Sequence, residues 1–257
     1  MTDTFRRQMN EELGHLGITL SQEQLEQFFI YYELLVEKNK VMNLTAITDE
    51  SQVVSKHFSD SLSLIGVLKR ESKYIDSADR LSVGGLLENQ QVIDVGTGAG
   101  FPGIPLKIVF PGMKLTLLDS LNKRVKFLQE VCSALKLDQV TCIHGRAEDM
   151  GRENEHREAY DWCVSRAVAN LSSLSEYCMP FVKTGGYFVP YKSGEIEDEL
   201  TSAKRAIGVL GGEINSVDKF VLPGTDAARS LVVIKKVKKT PGKYPRKAGM
   251  PTKEPLG

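Results

Sequence analysis

Near the middle of the chain, the twelve residues from Val92 to Gly103 read VIDVGTGAGFPG. The run Val92–Val95 is typical of a short buried strand, and a glycine-rich turn and a helix toward Phe110 follow it. Glycines placed directly after a strand let the backbone turn sharply and approach a ligand without interference from a Cβ atom. Because ligands of open α/β sheets bind beyond the carboxyl ends of the strands, this stretch predicts a ligand site at the tip of the first strand.

Short apolar strands continue to alternate with amphipathic helices after this stretch. The predicted strands are Leu115–Asp119, Val140–His144, Asp161–Ser165 and Gly186–Tyr191, and the predicted helices are Asn122–Leu137, Ala169–Met179 and Glu195–Ile207. Lys219–Leu222 and Ser230–Val237, joined by Pro223–Gly224, predict a closing hairpin. The pattern indicates an α/β, Rossmann-like fold with a mostly parallel sheet, helices on both faces and an antiparallel last strand.

The residues before the sheet predict a helical extension. Ser21 and Gln24 form a capping-box pattern, and apolar residues recur after them at helical spacing. A second helix is predicted over Ser51–Arg70, and the polar stretch Glu71–Gln90 is predicted to link the extension to the sheet. We therefore divide the chain into a helical cap (1–90), a sheet domain (91–237) and a basic tail (238–257).

Composition narrows the class of protein. The chain has 257 residues, of which 41% are hydrophobic and 26% are charged, as in ordinary globular proteins. No apolar run approaches the roughly 18 to 20 residues of a membrane helix, and the N-terminus carries no secretory leader pattern. The four widely spaced cysteines predict buried free thiols in a reducing compartment, so we expect a cytoplasmic protein with no zinc site and no other metal site.

Charge is unevenly distributed along the chain. Residues 235–257 carry eight basic residues and one acidic residue, whereas the whole chain carries 33 of each. The end of the chain therefore has a net charge of +7 and the remainder has a net charge of −7. Such polarity favours a polyanionic partner that contacts one end of the molecule, although a merely solvated tail would show the same pattern.

Acidic residues follow three of the predicted strands. Asp94 precedes the glycine turn, Asp119 ends the second strand, and Glu148 and Asp149 follow the third. A carboxylate at the second tip can accept hydrogen bonds from both hydroxyls of a ribose, and the third tip is where an adenine ring is usually bound. The set predicts a nucleoside-containing cofactor.

Two cofactor classes compete for the glycine turn. Gly98, Gly100 and Gly103 match the spacing of nicotinamide and flavin binders, but these glycines begin late after the strand and Pro102 removes a donor for pyrophosphate. The register of Asp94, Gly96, Gly98 and Gly100 begins at the strand end and carries an acid before it. This register suits S-adenosylmethionine, which has no phosphate groups, and we therefore predict a methyltransferase.

The chain shows no motif for a difficult methyl acceptor. An Asn-Pro-Pro-Tyr motif for exocyclic amines and a Pro-Cys loop for attack on a pyrimidine carbon are both missing from the sequence. Their absence favours an acceptor with a free lone pair, such as guanine N7. A methyltransferase acting on a protein or small molecule, and an RNA-binding assembly factor with an inactive cofactor pocket, remain open alternatives.

Several motifs together resemble the family of ribosomal RNA small-subunit methyltransferase G, also called glucose-inhibited division protein B. The resemblance rests on Asp94–Gly103, Asp119–Ser120, Arg146–Glu148, Ser165–Val168 and Tyr244–Pro251, with Asn43–Thr45 and His57–Leu62 in the N-terminal part. It implies methylation of N7 of one guanine in 16S ribosomal RNA, with the small subunit or an assembly intermediate as partner.

The predicted cofactor contacts combine the strand tips with the residues that the resemblance implies. They are Asp94, Gly96, Gly98, Gly100, Phe101, Asp119, Ser120, Leu121, Ala147, Glu148 and Arg166. Arg166 ends the fourth strand and Lys192 the fifth, so either side chain is a candidate for positioning cofactor or RNA phosphate. We assign no catalytic residue. We expect His57 to serve in capping or packing, and Trp162 and Cys178 in core packing.

The predicted RNA contacts lie mainly at the basic end of the chain. They are Lys192, Lys236, Lys238, Lys239, Lys243, Tyr244, Arg246 and Lys247. Lysine and arginine would neutralise phosphates. Tyr244, in a context of prolines and lysines, is predicted to be exposed, either stacking on a base or serving as an ordinary anchor of the tail.

Overall fold

The architecture comes from a computed structural model of the chain, which describes residues 1–71, 85–166 and 169–257. Most of the predicted link Glu71–Gln90, and Ala167 and Val168 of the motif after the fourth strand, lie outside the described residues. The described strands form one seven-stranded sheet in the order β3-β2-β1-β4-β5-β7-β6. The order turns back between β1 and β4, which is the place where open α/β sheets bind ligands.

The strands confirm the predicted mostly parallel sheet. Their bounds are β1 Gln91–Val95, β2 Lys114–Asp119, β3 Val140–His144, β4 Tyr160–Arg166, β5 Val182–Ser193, β6 Gly212–Val221 and β7 Ala228–Lys236. Strands β1 to β5 pair in parallel, and the last strand, β7, lies antiparallel between β5 and β6. The carboxyl ends of β1, β2, β3, β4 and β5 therefore meet at one edge of the sheet.

The helices surround this sheet. Their bounds are α1 Asp3–His15, α2 Gln22–Met42, α3 Glu50–Val53, α4 Asp60–Leu62, α5 Leu64–Glu71, α6 Gly103–Val109, α7 Asn122–Ala134, α8 Ala147–Met150, α9 Leu171–Cys178, α10 Glu197–Val209 and α11 Met250–Lys253. The predicted capping box at the start of α2 is confirmed, since the Ser21 side chain accepts from the Gln24 N–H and the Gln24 side chain accepts from the Ser21 N–H.

The single helix predicted over Ser51–Arg70 is wrong in detail. A π-helical turn, Val54–Ser59, separates α3 from α4, and α5 begins after Ser63. The hydroxyls of Ser61 and Ser63 donate to the carbonyls of His57 and Asp60, at 2.5 and 2.7 Å. A serine hydroxyl that donates to a carbonyl of the preceding turn bends a helix. A π-turn changes the backbone hydrogen bonding of a helix, but the apolar residues here still recur every three or four positions, so the sequence alone indicates one helix.

Two hydrophobic clusters cover the two faces of the sheet. One cluster joins α1, α2 and the segment 53–68 to α6, α7 and one face of the sheet, so the N-terminal helices and the sheet share one core. The other cluster packs α9 and α10 against the opposite face and includes Tyr244 from the end of the chain. As predicted, Trp162 and Cys178 are buried in these cores, and Trp162 stacks on Tyr187 at 4.7 Å between ring centroids.

The hairpin strand β6 begins seven residues before its predicted start at Lys219. Its first half mixes the polar residues Glu213, Asn215 and Ser216 with apolar ones. Polar residues are common in a strand at the edge of a sheet, such as β6. The cysteines are free thiols, as predicted; three are buried and Cys142 is half-buried. Among the residues that the structure describes, no helix combines the length and apolar character needed to cross a membrane.

Candidate cofactor and RNA site

The glycine loop after β1 takes a conformation that side chains rarely adopt. Gly96, Gly98 and Gly100 have φ values of 70°, 63° and 104°. A Cβ atom on Gly100 would lie 2.5 Å from Ile104 Cδ1 and 2.6 Å from Tyr31 Oη, so this glycine packs against α6 and α2. A Cβ atom on Gly98 would meet no atom within 4 Å, which shows that Gly98 faces open space.

Asp94 lies beneath this loop and is completely buried. Its Oδ2 atom accepts from the Gly103 N–H at 2.8 Å and from the Thr97 hydroxyl at 2.7 Å, so it connects both ends of the loop. Its Oδ1 atom is buried and has no hydrogen-bond partner. Burial raises the pKa of Asp94 to about 7, against the opposing effect of the bonds from Thr97 and Gly103. A cationic ligand above the loop would favour the carboxylate form, which fits a sulfonium cofactor.

Asp119 stands at the tip of β2, where it is buried. Its Oδ2 atom accepts from the Gly98 N–H and its Oδ1 atom accepts from the Leu121 N–H, both at 2.9 Å. Arg124 Nη1 lies 3.5 Å from Oδ2. A carboxylate has about four acceptor positions, so Asp119 can still accept hydrogen bonds from the two hydroxyls of a ribose.

Two cavities open along this edge of the sheet. The smaller one has a volume of about 350 Å³ and lies beyond β2 and β3. The larger one has a volume of about 740 Å³ and lies between the glycine loop, the tips of β4 and β5, and the N-terminal helical region. Both fall within the roughly 300–1,000 Å³ typical of small-molecule sites. Because Gly96, Asp119 and Ser120 line both, the cavities adjoin.

Most of the predicted cofactor residues lie on these cavity walls. Gly96, Asp119, Ser120, Ala147 and Glu148 line the smaller cavity. Gly98, Phe101 and Arg166 line the larger one. Asp94, Gly100 and Leu121 line neither cavity. Asp94 supports the loop from beneath, Gly100 packs against α6 and α2, and Leu121 is an exposed residue whose N–H donates to Asp119.

Arg166 is held by the N-terminal helical region. Its Nη1 atom donates to Asp60 Oδ2 at 2.9 Å, and Asp60 Oδ1 accepts from Arg229 Nε at 3.0 Å. All three side chains line the larger cavity. Sequence reasoning missed Asp60 and Arg229, although Asp60 belongs to the His57–Leu62 motif and Arg229 directly precedes the predicted last strand.

His57 packs as predicted and also lines the larger cavity. Its ring stacks on Phe101 with 4.6 Å between centroids, and the Arg166 guanidinium lies 4.9 Å from the centre of the same phenyl ring. His57 Nδ1 lies 3.2 Å from Arg166 Nη2 and 3.1 Å from the carbonyl oxygen of Lys56, and Nε2 lies 2.8 Å from Thr45 Oγ1, so both ring nitrogens have polar partners. Burial and the charge of Arg166 lower the pKa of His57 to about 3, which keeps the ring neutral near pH 7.

Lys192 also faces the larger cavity, as its position at the end of β5 suggested. Its ammonium group donates to the carbonyl of Ala169 at 2.8 Å and pairs with Glu199 Oε1 at 2.6 Å. The side chain is mostly buried by these contacts, so it is held at one place in the cavity wall.

The structure corrects three of the predicted RNA contacts. Lys236 is completely buried, and its ammonium donates to the carbonyls of Met179 and Val182 and to the hydroxyl of Thr240. Burial lowers the pKa of Lys236 to about 8. Tyr244 is buried too, because the end of the chain folds back onto the core rather than extending into solvent.

Arg246 is the third correction. It is half-buried and its guanidinium binds the buried carboxylate of Glu176, with Nη2 2.7 Å from Oε2 and Nε 2.9 Å from Oε1. The remaining predicted tail contacts are exposed: Lys238, Lys239, Lys243 and Lys247. Within residues 1–71, 85–166 and 169–257, no group of three or more His, Cys, Asp or Glu side chains is placed to hold a metal ion.

Comparison with known proteins agrees with this geometry. The family model described as rRNA small subunit methyltransferase G matches residues 24–231. A ribosomal RNA small subunit methyltransferase G of Alkaliphilus oremlandii is 52% identical over 248 residues, which cover 96% of this chain and 97% of the relative. One from Staphylococcus carnosus is 50% identical over 247 residues, which cover 96% of each chain.

A solved structure supports the fold alone. A mutein of the branched-chain polyamine synthase of Thermus thermophilus, in complex with N4-aminopropylspermidine and 5′-methylthioadenosine, has a TM-score of 0.53 at 12% identity. The match covers 71% of this chain and 57% of the synthase.

Fold, strand-tip carboxylates and sequence matches together define an S-adenosylmethionine-dependent methyltransferase with a Rossmann-like sheet and N-terminal helices. Within that class, the chain belongs to the rRNA small subunit methyltransferase G family.

Proposed function

We propose that this protein transfers a methyl group from S-adenosylmethionine to N7 of a guanine in 16S ribosomal RNA, in the small subunit or an assembly intermediate. The observation that carries the proposal is the pair of adjoining cavities at the strand tips of a member of this family. The smaller cavity suits the adenosine half of the donor. The larger one has room for the methionine half and for an acceptor base.

The chain's own residues would bind and orient the donor. When bound, S-adenosylmethionine supplies an electrophilic methyl group on a sulfonium sulfur. Asp119 would accept from the ribose hydroxyls, Glu148 would lie beside the adenine, and Arg166 in the larger cavity would pair with the carboxylate of the methionine half. Asp94 would hold the glycine loop in its conformation beneath the positively charged sulfur of the donor.

The acceptor needs orientation more than proton transfer. Guanine N7 carries a free lone pair, so attack on the methyl group requires no general base, and placing the atoms in line supplies most of the catalysis. The neutral ring of His57 is consistent with this chemistry, since it would act by packing rather than by proton transfer. Lys192 and Arg166 would position the donor or an RNA phosphate.

The exposed lysines at the end of the chain would contact the ribosomal RNA backbone. Lys238, Lys239, Lys243 and Lys247 offer positive charge to phosphates, whereas Lys236, Arg246 and Tyr244 serve inside the protein. A ribosomal RNA substrate also implies a cytoplasmic location, which stays a prediction, as does the division of the chain at residues 90 and 237.

The direct test incubates the enzyme with labelled S-adenosylmethionine and small subunits from a strain that lacks the enzyme. We expect label in 16S ribosomal RNA at one guanine, mapped by strand cleavage specific for N7-methylguanine. The variant Asp119→Ala should transfer little label, and Asp218→Ala, which alters a surface ion pair with Arg70, should behave as the unaltered protein. Label in protein alone, or no label in RNA, would reject the proposed substrate.

A further inference from the structure

The end of the chain forms part of the smaller cavity. The C-terminal segment, defined here as Tyr244–Glu254, lies outside the region 24–231 that the family model matches. Nevertheless, Gly249 and Thr252 of this segment line the smaller cavity together with Asp119 and Glu148. A basic tail that served only as an RNA-binding arm would have no reason to lie there.

Several contacts fasten the C-terminal segment in this position. Arg157 Nη1 donates to the carbonyl of Tyr244 at 2.9 Å, and Arg246, two residues further on, pairs with the completely buried Glu176. The Ser173 hydroxyl donates to the carbonyl of Pro251 at 2.6 Å. Because the segment is bound both before and after Gly249, it is a fixed wall of the cavity.

Two hydrogen bonds hold this wall at the cavity, and one of them reaches a predicted cofactor residue. The Gly249 N–H donates to Glu148 Oε1 at 2.9 Å, which orients a carboxylate that is itself a predicted cofactor contact. The hydroxyls of Thr252 and Tyr177, which line the same cavity, share a hydrogen bond of 2.6 Å. Gly249 has a φ of 84°, and a Cβ atom there would meet nothing within 4 Å, so its backbone lies next to open space.

The chemistry of this wall indicates which half of the cofactor it meets. Gly249 and Thr252 contribute a peptide backbone and a hydroxyl, both uncharged, and Tyr177 adds a phenol. Such groups suit a neutral nucleoside with hydrogen-bonding heteroatoms. The exposed Arg146 also lines the smaller cavity, but the mostly buried cations of Arg166 and Lys192, which suit a charged amino-acid end, line the larger one.

We propose that the C-terminal segment completes the adenosine-binding site, with Gly249 and Thr252 and their neighbour Tyr177 in contact with the adenosine half of the cofactor. The segment is thereby a cofactor-binding element whose lysines face away into solvent. This inference rests on the binding of S-adenosylmethionine and is independent of the RNA substrate proposed above.

Hydrogen exchange of the full-length protein tests the placement. Addition of S-adenosylhomocysteine should slow amide exchange in peptides covering 246–254, in parallel with peptides covering 94–103 and 145–149. Protection of the two loops without protection of 246–254 would overturn the proposal. Protection in none of the three would instead reject the cofactor assignment, so the two failures are distinguishable.

A matched pair of variants tests the contact itself. Thr252→Trp adds an indole to a residue that lines the cavity, whereas Lys253→Trp adds the same bulk to the next residue, which is equally exposed and does not line it. Calorimetry should show that Thr252→Trp weakens S-adenosylhomocysteine binding at least tenfold, with Lys253→Trp within twofold of the unaltered protein. Equal affinity of the two folded variants, checked by circular dichroism and thermal unfolding, would contradict the proposal.

Discussion

Asp94 determines the shape of the glycine loop through a single oxygen. One side chain accepts from both Thr97 and Gly103 while its other oxygen stays buried without a partner. Such an arrangement costs folding free energy when the group is charged and no cation is near. The same residue is therefore expected to couple protein stability, pH and cofactor binding.

Replacing Asp94 with asparagine tests that coupling. The pKa of Asp94 is about 7 in the folded chain and ordinarily 3.8, so between these values the native state binds a proton that the unfolded state does not. This stabilisation is present at low pH and is lost as pH rises through 7. Relative to Asp94→Asn, the unaltered protein should lose about 2 kcal/mol of unfolding free energy between pH 5.5 and pH 8, measured by urea denaturation.

The exposed Asp226→Asn serves as a control and should show no such change between the two pH values. A difference between the unaltered protein and Asp94→Asn that stays constant with pH would contradict the account of Asp94.

Tyr31 holds the same loop from the N-terminal region. Its buried hydroxyl donates to the carbonyl of Ala99 at 2.6 Å. Tyr31→Phe should lower the unfolding free energy by about 1 kcal/mol, which is the usual net contribution of one hydrogen bond to stability. If that energy holds the loop in its binding form, affinity for S-adenosylhomocysteine falls by up to about fivefold in calorimetry. The half-buried neighbour Tyr32, changed to phenylalanine, is the control; equal effects of both variants would show that the bond is unimportant.

Among the elements, the N-terminal helices and the sheet are joined by their shared core and, at the cavity, by one carboxylate. Asp60, at the start of α4, pairs with Arg166 at the end of β4 and with Arg229 in β7. The π-helical turn directly precedes α4 and changes the direction in which the following residues face. The Asp60 side chain thereby faces the carboxyl edge of the sheet, where it pairs with the two arginines.

Removing that carboxylate should be costly. Asp60→Asn leaves two mostly buried guanidinium groups without a counter-charge, and we expect a loss on the order of 3 kcal/mol in chemical denaturation. Asp218→Asn breaks a pair with Arg70 at the surface and should cost less than about 1 kcal/mol. Comparable losses for the two variants would show that the junction does not depend on Asp60.

The elements that sequence predicts well are short strands rich in apolar and β-branched residues. The predicted bounds of β3, Val140–His144, agree with the structure, although β3 is an edge strand without a fully buried residue. The first half of β6 escaped prediction because Glu213, Asn215 and Ser216 interrupt its apolar residues. The π-helical turn escaped because its apolar residues continue the helical spacing around it.

The candidate site was predictable only in part for a related reason. Strand-tip residues such as Asp119 and Glu148 can be placed because parallel strands end at one edge. The pairing of Asp60 with Arg229, across 169 residues, depends on how the helices pack and leaves no local signal. Lys236 and Tyr244 were predicted to contact RNA because the charge of the tail suggests an arm in solvent. Both are buried, because apolar contacts fold the end of the chain back onto the core.

For the protein as a whole, the concentration of basic residues at the end of the chain predicts an interaction with RNA that weakens as salt concentration rises. Each phosphate contact contributes roughly −0.7 to −0.9 to the slope of log affinity against log salt concentration. Replacing Lys238, Lys239, Lys243 and Lys247 with alanine should therefore flatten the slope by about 3, measured by filter binding to small-subunit RNA. Alanine at the exposed Lys204 and Arg205 is the control; an unchanged slope in the fourfold variant would exclude the tail as an RNA contact.

The central claim is that carboxylates at successive strand tips bind a sulfonium nucleoside. Calorimetric titration of the purified protein with S-adenosylhomocysteine and, separately, with NAD tests it most directly. We expect saturable one-to-one binding of S-adenosylhomocysteine that Asp119→Ala abolishes, and no binding of NAD. Binding of NAD, or of neither ligand, would contradict the account.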